Sequence, residues 1–335
     1  MRQTRAHWAA SMNPVQLFMK ALIVAVSLYI DTVSFALAET VVVSNERSGD
    51  LIFIDRDGNT TEVIELCSRP RGMSQSRAEK LLFIACSDDN KIVVFDPATR
   101  QIGKEFLNIK GAMSIAIHEP SNRLLVSNEG IAQATVLDSD SGKVLASLVT
   151  GHEPDGVVFT DDGTLIFVAS ENAGLVHVFD GKTYKPITRI LTQLRPRRMA
   201  LRANELWVSS EMGSRVEIFD TAGFEKIDEI VFAPRGFRSE QLTPVDILFD
   251  EPGNTAFVAL GSANHVVIID AASREIKKYV LVGRRPWGLA LSPNGERLFV
   301  LNGLSDDMTM IDIAKQRPIR TMRTGLVPHS VEVLH

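Results

Sequence analysis

Seven times along this chain a β-branched run closes on an aspartate. The runs are LIFID to Asp55, KIVVFD to Asp96, ATVLD to Asp138, LVHVFD to Asp180, RVEIFD to Asp220, HVVIID to Asp270 and MTMID to Asp312, spaced 41, 42, 42, 40, 50 and 42 residues apart. A second marker keeps step with the first: Pro70, Gly111, Pro154, Pro196, Pro244, Pro286 and Pro328. Two independent markers that hold one period define a repeat architecture. Each unit contains four short runs separated by turn residues. The last full unit reads WGLALS, a PNG turn, RLFVLN, MTMID and PIRTMR. Alternation of apolar and polar residues over five or six positions is the signature of a half-buried strand. Asp161-Asp162-Gly163, Pro252-Gly253-Asn254 and Pro293-Asn294-Gly295 supply hairpin turns. No segment beyond residue 40 sustains a helical period. Four antiparallel strands per ~42 residues, repeated radially, predict an all-β, seven-bladed β-propeller.

The ends of the chain are complementary in phase. The first unit enters at its second strand, VVVSN at 41–45, and the chain finishes on a lone first strand, SVEVL at 330–334. The last strand is therefore expected innermost in the first blade, closing the ring without an open seam.

Residues 1–38 read as a signal peptide. Arg2, Arg5 and Lys20 precede an apolar run at 21–30, and Ala36-Leu37-Ala38 supplies a cleavage signal, with Met12 or Met19 as alternative starts. A membrane anchor is the competing reading, but ten residues span only ~15 Å of a ~30 Å hydrocarbon core, and Asp31 follows at once. The expected product is one propeller domain, 39–335, periplasmic or secreted, monomeric and without a membrane span. The balance of 36 basic against 41 acidic residues excludes a general nucleic-acid binder, which needs a basic excess to neutralise phosphates.

The repeats resemble the YVTN family of β-propellers over residues 41–335. They are most similar to members associated with catabolism dependent on pyrroloquinoline quinone (PQQ). The phrases that carry this are Arg69-Pro70-Arg71-Gly72, Ser-Asn-Glu at 44–46 and 127–129, LRPR at 194–197, ELWVSSEMGSRVEIFD at 205–220, TAFVALGSANHVVIID at 255–270 and NGLSDDMTMID at 302–312. The resemblance implies a partner such as a periplasmic quinoprotein dehydrogenase or its cytochrome, without implying any chemistry in this chain. The sequence departs from the pattern at Gly111-Ala112-Met113 and at Arg198, where the marker glycine is missing.

Alternating strand direction brings three kinds of position to one face: the starts of first strands, the ends of second strands and the connections between blades. The residues after the marker are Arg71, Ala112, Asp155, Arg197, Val245, Trp287 and His329. Second strands end at Glu46, Glu129, Glu171 and Glu211, and Arg69, Arg195, Arg284 and Arg285 flank them. An eight-residue excess at 232–242 adds Arg235 and Arg238. Propellers usually bind on such a face. Each Glu or Arg either meets a ligand or partner, or ties neighbouring blades as an ion pair. Trp287 is either a contact residue or a plug in the channel mouth. Glu46, Asn45, Asn128, Glu129 and Asp155 offer an oxygen set for Ca²⁺ or Mg²⁺, which would suit a metal-assisted lactone hydrolase acting in the central channel. That enzyme is the alternative to a non-catalytic binding propeller. No nucleophile motif is present.

Cys67 follows the last strand of the first unit, three residues before Pro70, and Cys86 ends the second strand of the next unit. Antiparallel pairing sets Cys86 beside Pro70, so a disulfide is expected in an oxidising compartment. Two buried free thiols are the other possibility.

Overall fold

The computed structural model describes residues 39–334; the signal-peptide reading falls outside them. These residues form seven four-stranded antiparallel sheets. Six of them, blades two to seven, are consecutive, with innermost strands Pro70–Ser76, Ala112–His118, Pro154–Phe159, Pro196–Arg202, Pro244–Phe249 and Pro286–Leu291. Blade one is composite. Pro328–Leu334 lies innermost and pairs antiparallel with Thr40–Asn45, Val333 opposite Val41 and Val331 opposite Val43.

Burial explains why the strands differ in composition. Second and third strands such as Leu81–Cys86 and Lys91–Asp96 are buried on both faces, because each blade is covered by a neighbour on either side. Their apolar runs are correspondingly continuous, whereas outer strands such as Thr60–Glu65 are largely exposed. Apolar clusters sit between consecutive blades. Phe53 and Leu51 of blade one pack with Leu82, Ile84 and Phe95 of blade two. The junction of blades seven and one is built in the same way, from Phe299, Leu301 and Met310 against Val41, Ile54, Val331 and Val333.

The two sequence markers have local causes. Each aspartate ends a third strand and accepts backbone N–H groups from the turn that follows: Asp55 from Asp57 and Asn59, Asp180 from Lys182 and Thr183, Asp312 from Lys315. The carboxylate thereby organises the turn into the outer strand. The proline marker coincides with a β-bulge. In blades two to seven the register of the innermost strand slips between the marker and the third residue beyond it, as between Pro70 and Met73. A bulge re-aims the side chain it contains.

The register corrects one reading. In blade three Ala112, not Gly111, takes the marker position, since Ala112 faces Asn128 as Pro70 faces Cys86 and Pro154 faces Ser170. Gly111 instead takes the preceding position, with φ +57°, where Arg69, Glu153, Arg195, Arg285 and Val327 are also left-handed. Met113 therefore replaces Ala112 among the residues after the marker.

Cys67 and Cys86 are disulfide-bonded, with Cα atoms 6.0 Å apart. The bridge ties the connection between blades one and two to the second strand of blade two. The longer connection at 232–243 folds back onto the ring through buried Phe232 and Leu242, leaving Arg235 and Arg238 exposed.

Candidate functional site

The face expected from strand direction is assembled by one repeated hydrogen bond. In every blade the residue beyond the second strand donates its backbone N–H to the carbonyl of the residue before the marker. Examples are Glu46 to Val327, Glu129 to Gly111, Glu171 to Glu153 and Glu211 to Arg195. This places Glu46 and Glu129 against the arginines that flank Pro70, and Glu171 and Glu211 against those that flank Pro196.

Two ion-pair clusters result. In the first, Arg197 is nearly fully buried. It pairs with Glu171, lies 3.1 Å from Asp155 through Nε, and comes within 3.8 Å of Glu211. Arg195 joins Glu171 at 2.6 Å, and Arg285 reaches past blade six to Glu211 at 2.8 Å. In the second, Arg71 meets Glu129 at 2.6 Å and Glu46 at 3.9 Å, while Arg69 meets Glu46 at 2.8 Å. Trp287 stands between the clusters, half-buried. The guanidinium carbons of Arg197 and Arg285 lie 4.9 and 5.3 Å from its ring centroid, and His329 packs at 5.9 Å. Of the two readings of Trp287, this packing favours the plug.

Electrostatics follow from burial and pairing. Burial alone would raise the Asp155 carboxyl, but Arg197, with Arg198 and Arg71, holds it well below the usual range. Burial raises Glu171 despite its arginines, with Asp155 adding repulsion. His329 is buried and close to the Arg71 cation, both of which depress its pKa and keep the ring neutral.

Arg69, Arg71, Asp155, Arg197, Arg285, Trp287, His329, Glu46, Glu129, Glu171 and Glu211 lie at this end of the channel, where Arg71, Arg197, Glu171, Glu211 and Asp155 are buried and ion-paired. The bulge turns the residue after the marker inward, and the repeated backbone bond delivers its counter-charge. The oxygen set suggested for Ca²⁺ or Mg²⁺ is not brought together. Asn45 bonds Asp50 and the Gly325 N–H, Asn128 bonds the Lys110 carbonyl and Thr135, and Glu46, Glu129 and Asp155 face arginines.

Three channel residues were not anticipated. The position two beyond the marker carries Gly72, Ser114, Gly156, Gly288 and Ser330 in five blades but Arg198 and Asp246 in the other two. A Cβ on Gly72 or Gly156 would lie 2.4 or 2.3 Å from a neighbouring backbone oxygen, which explains the preference for a small residue. Arg198 reaches Ser114 and lies 3.7 Å from Asp155. Burial raises the pKa of Asp246 to about 6 against the pull of Arg198. Deeper still, burial raises Glu332 to about 8, opposed by Arg77. A charged residue where the repeat calls for glycine was the available signal; for Glu332 there was none.

Seven blades around a channel whose mouth is lined by matched charges define a β-propeller with a pre-organised central face. More particularly, the chain belongs to the choice-of-anchor I domain family, whose profile matches residues 109–297, more than half of its length. No curated protein matches the sequence. Among solved structures it is similar to the periplasmic gluconolactonase PpgL of Pseudomonas aeruginosa, with TM-score 0.73 and 17% identity over 89% of this chain and 99% of that one. A putative 6-phosphogluconolactonase of Bacteroides fragilis aligns with TM-score 0.74 and 14% identity, covering 90% and 99%. Hydrazine synthase of Kuenenia stuttgartiensis aligns with TM-score 0.69 and 17% identity, covering 78% and 88%. At these identities the likeness is one of fold. The disulfide and the choice-of-anchor family fit a surface or exported protein.

Proposed function

We propose that this chain is a periplasmic, non-catalytic propeller that docks a partner protein on the channel-mouth face. The observation that carries the reading is the composition of that face. Its carboxylates are already paired with arginines, while Ile131, Leu194, Leu304 and Leu326 in loops, and Met212 in the short 3-10 turn Glu211–Gly213, all at that end of the blades, are exposed. Apolar side chains around a neutralised, rigid centre suit protein contact, in which fully buried interface cores are depleted in charge. The sequence resemblance supplies the setting, a quinoprotein-linked alcohol oxidation system. PQQ would belong to the partner dehydrogenase, and the propeller would meet that enzyme or its cytochrome.

Capture from a periplasmic extract tests the reading. Wild-type protein should retain a partner, and Leu304→Asp should weaken capture at least tenfold, whereas Lys315→Ala at the opposite end should not. Equal capture by all three would overturn it. The export component predicts a mature N-terminus at Glu39, and N-terminal sequencing of protein from the native host would read it directly.

A second reading, a lactone hydrolase, is favoured by Asp246, a buried channel carboxyl raised to about 6, and by the fold it shares with a gluconolactonase and a putative 6-phosphogluconolactonase. Chelator-sensitive hydrolysis of a simple lactone, lost in Asp246→Asn, would replace the first reading with this one.

A further inference from the structure

One residue deeper than the ion-pair clusters, the channel holds a cavity of about 210 Å³ whose lining includes Arg198, Asp246, Trp287 and His329. Glycine and serine in the other blades leave this level open, so Arg198 and Asp246, from adjacent blades, face it together with Glu332. The carboxylate within ion-pair distance of Arg198 is that of Asp155, at 3.7 Å, while Asp246 is held by backbone groups. Asp246 accepts two backbone N–H groups, from Leu289 at 2.9 Å and Ile247 at 3.0 Å, which hold its carboxylate in place.

The donors are less satisfied. Among the described residues, Trp287 Nε1 and His329 Nδ1 are buried without a hydrogen-bond partner. The tautomer of His329 follows from its neighbour. Its Nε2 lies 3.4 Å from Arg71 Nε, and a guanidinium has no lone pair to offer, so Nε2 accepts and Nδ1 carries the proton. Buried unpaired N–H groups are unfavourable, and two of them belong to residues that line one cavity. With the Arg198 guanidinium they make three donor residues in the lining of this cavity, which also carries the fixed carboxylate of Asp246 and the Glu332 carboxyl.

We propose that this cavity binds a small hydroxycarboxylate. Its carboxylate would be held by Arg198, Trp287 Nε1–H and His329 Nδ1–H, and its hydroxyl would donate to Asp246. The volume corresponds to roughly seven waters at ~30 Å³ each, which suits an acid of a few carbons. The site lies beneath the docking face, sharing Trp287 and His329 with it, and does not depend on a partner.

Isothermal titration with lactate, propionate and alanine tests the assignment. Lactate is expected to bind at least tenfold more tightly than propionate, which lacks the hydroxyl. Arg198→Gly should abolish binding while keeping the fold, since glycine is the residue of blades two, four and seven here, and partner capture should be unchanged. Trp287→Phe, which retains the ring but loses the N–H, should weaken binding several-fold. Absence of binding by any of the three ligands, or equal binding by Arg198→Gly, would overturn the site. Tighter binding of alanine than of lactate would overturn the hydroxyl assignment.

Discussion

Arg197 is the residue on which the mouth of the channel depends most. Its guanidinium faces Asp155, Glu171 and Glu211, all buried, and removing one partner from a buried pair leaves an uncompensated charge, typically costing about 3–5 kcal/mol. Arg197→Met should therefore lower the free energy of unfolding by an amount in that range. Arg69→Met, at a partly exposed pair, should cost under about 1 kcal/mol. Chemical denaturation of the two variants makes the comparison. Glu332 gives a pH test with a definite sign. Its carboxyl is held near 8 in the fold and near ~4.3 in the unfolded chain. Between those values the unfolded state has released its proton and the folded state has not, so stability falls as pH rises. Glu332→Gln should remove that fall, and melting temperatures of the two proteins should diverge from pH 5 to pH 8. At this scale the sequence was only partly legible. It brought Arg71, Asp155, Arg197 and Glu171 to the right face, because strand direction sets which end a residue occupies. It could not say that they were buried, because that depends on a bulge whose effect on side-chain direction is invisible to a period-two pattern.

At the scale of the element, the innermost strand and the disulfide carry the testable content. The bridge closes a loop with a sequence separation of 19, for which loop-closure entropy amounts to ~3 kcal/mol. Cys67→Ser should lower stability by up to that amount. It should also increase hydrogen exchange in the connection at 66–69, which presents Arg69 to Glu46. An unchanged denaturation midpoint would mean that strain in the folded state cancels the entropy. Both cysteines were readable as a pair, since the register of one hairpin suffices to place Cys86 opposite Pro70. The marker in blade three was misread because Gly111 looks like a substitute for proline, whereas its left-handed backbone belongs to the position before it.

For the whole molecule, the repeat period conveyed blade number and the phase of the two terminal strands conveyed closure, because a radial array leaves few other ways to bury continuous apolar runs on both faces. What it did not convey was the interior of the channel, where Arg198 and Asp246 break the repeat, and a repeat is informative only where it is obeyed. Deleting residues 330–335 should remove Val331 and Val333 from the junction of blades seven and one. The truncated protein should melt many degrees below the full chain, while a similar melting temperature would show that the ring does not need this strand. The closure also orders events in time. Blade one is begun before blade two and finished after blade seven, because its innermost strand, Pro328–Leu334, follows blade seven in the chain. Until then Thr40–Asn45 offers an unpaired edge, and an exposed edge invites association with other chains. A chain cut short before Pro328 thus keeps that edge open, and the closed ring serves as the molecule's own record that synthesis has passed this strand.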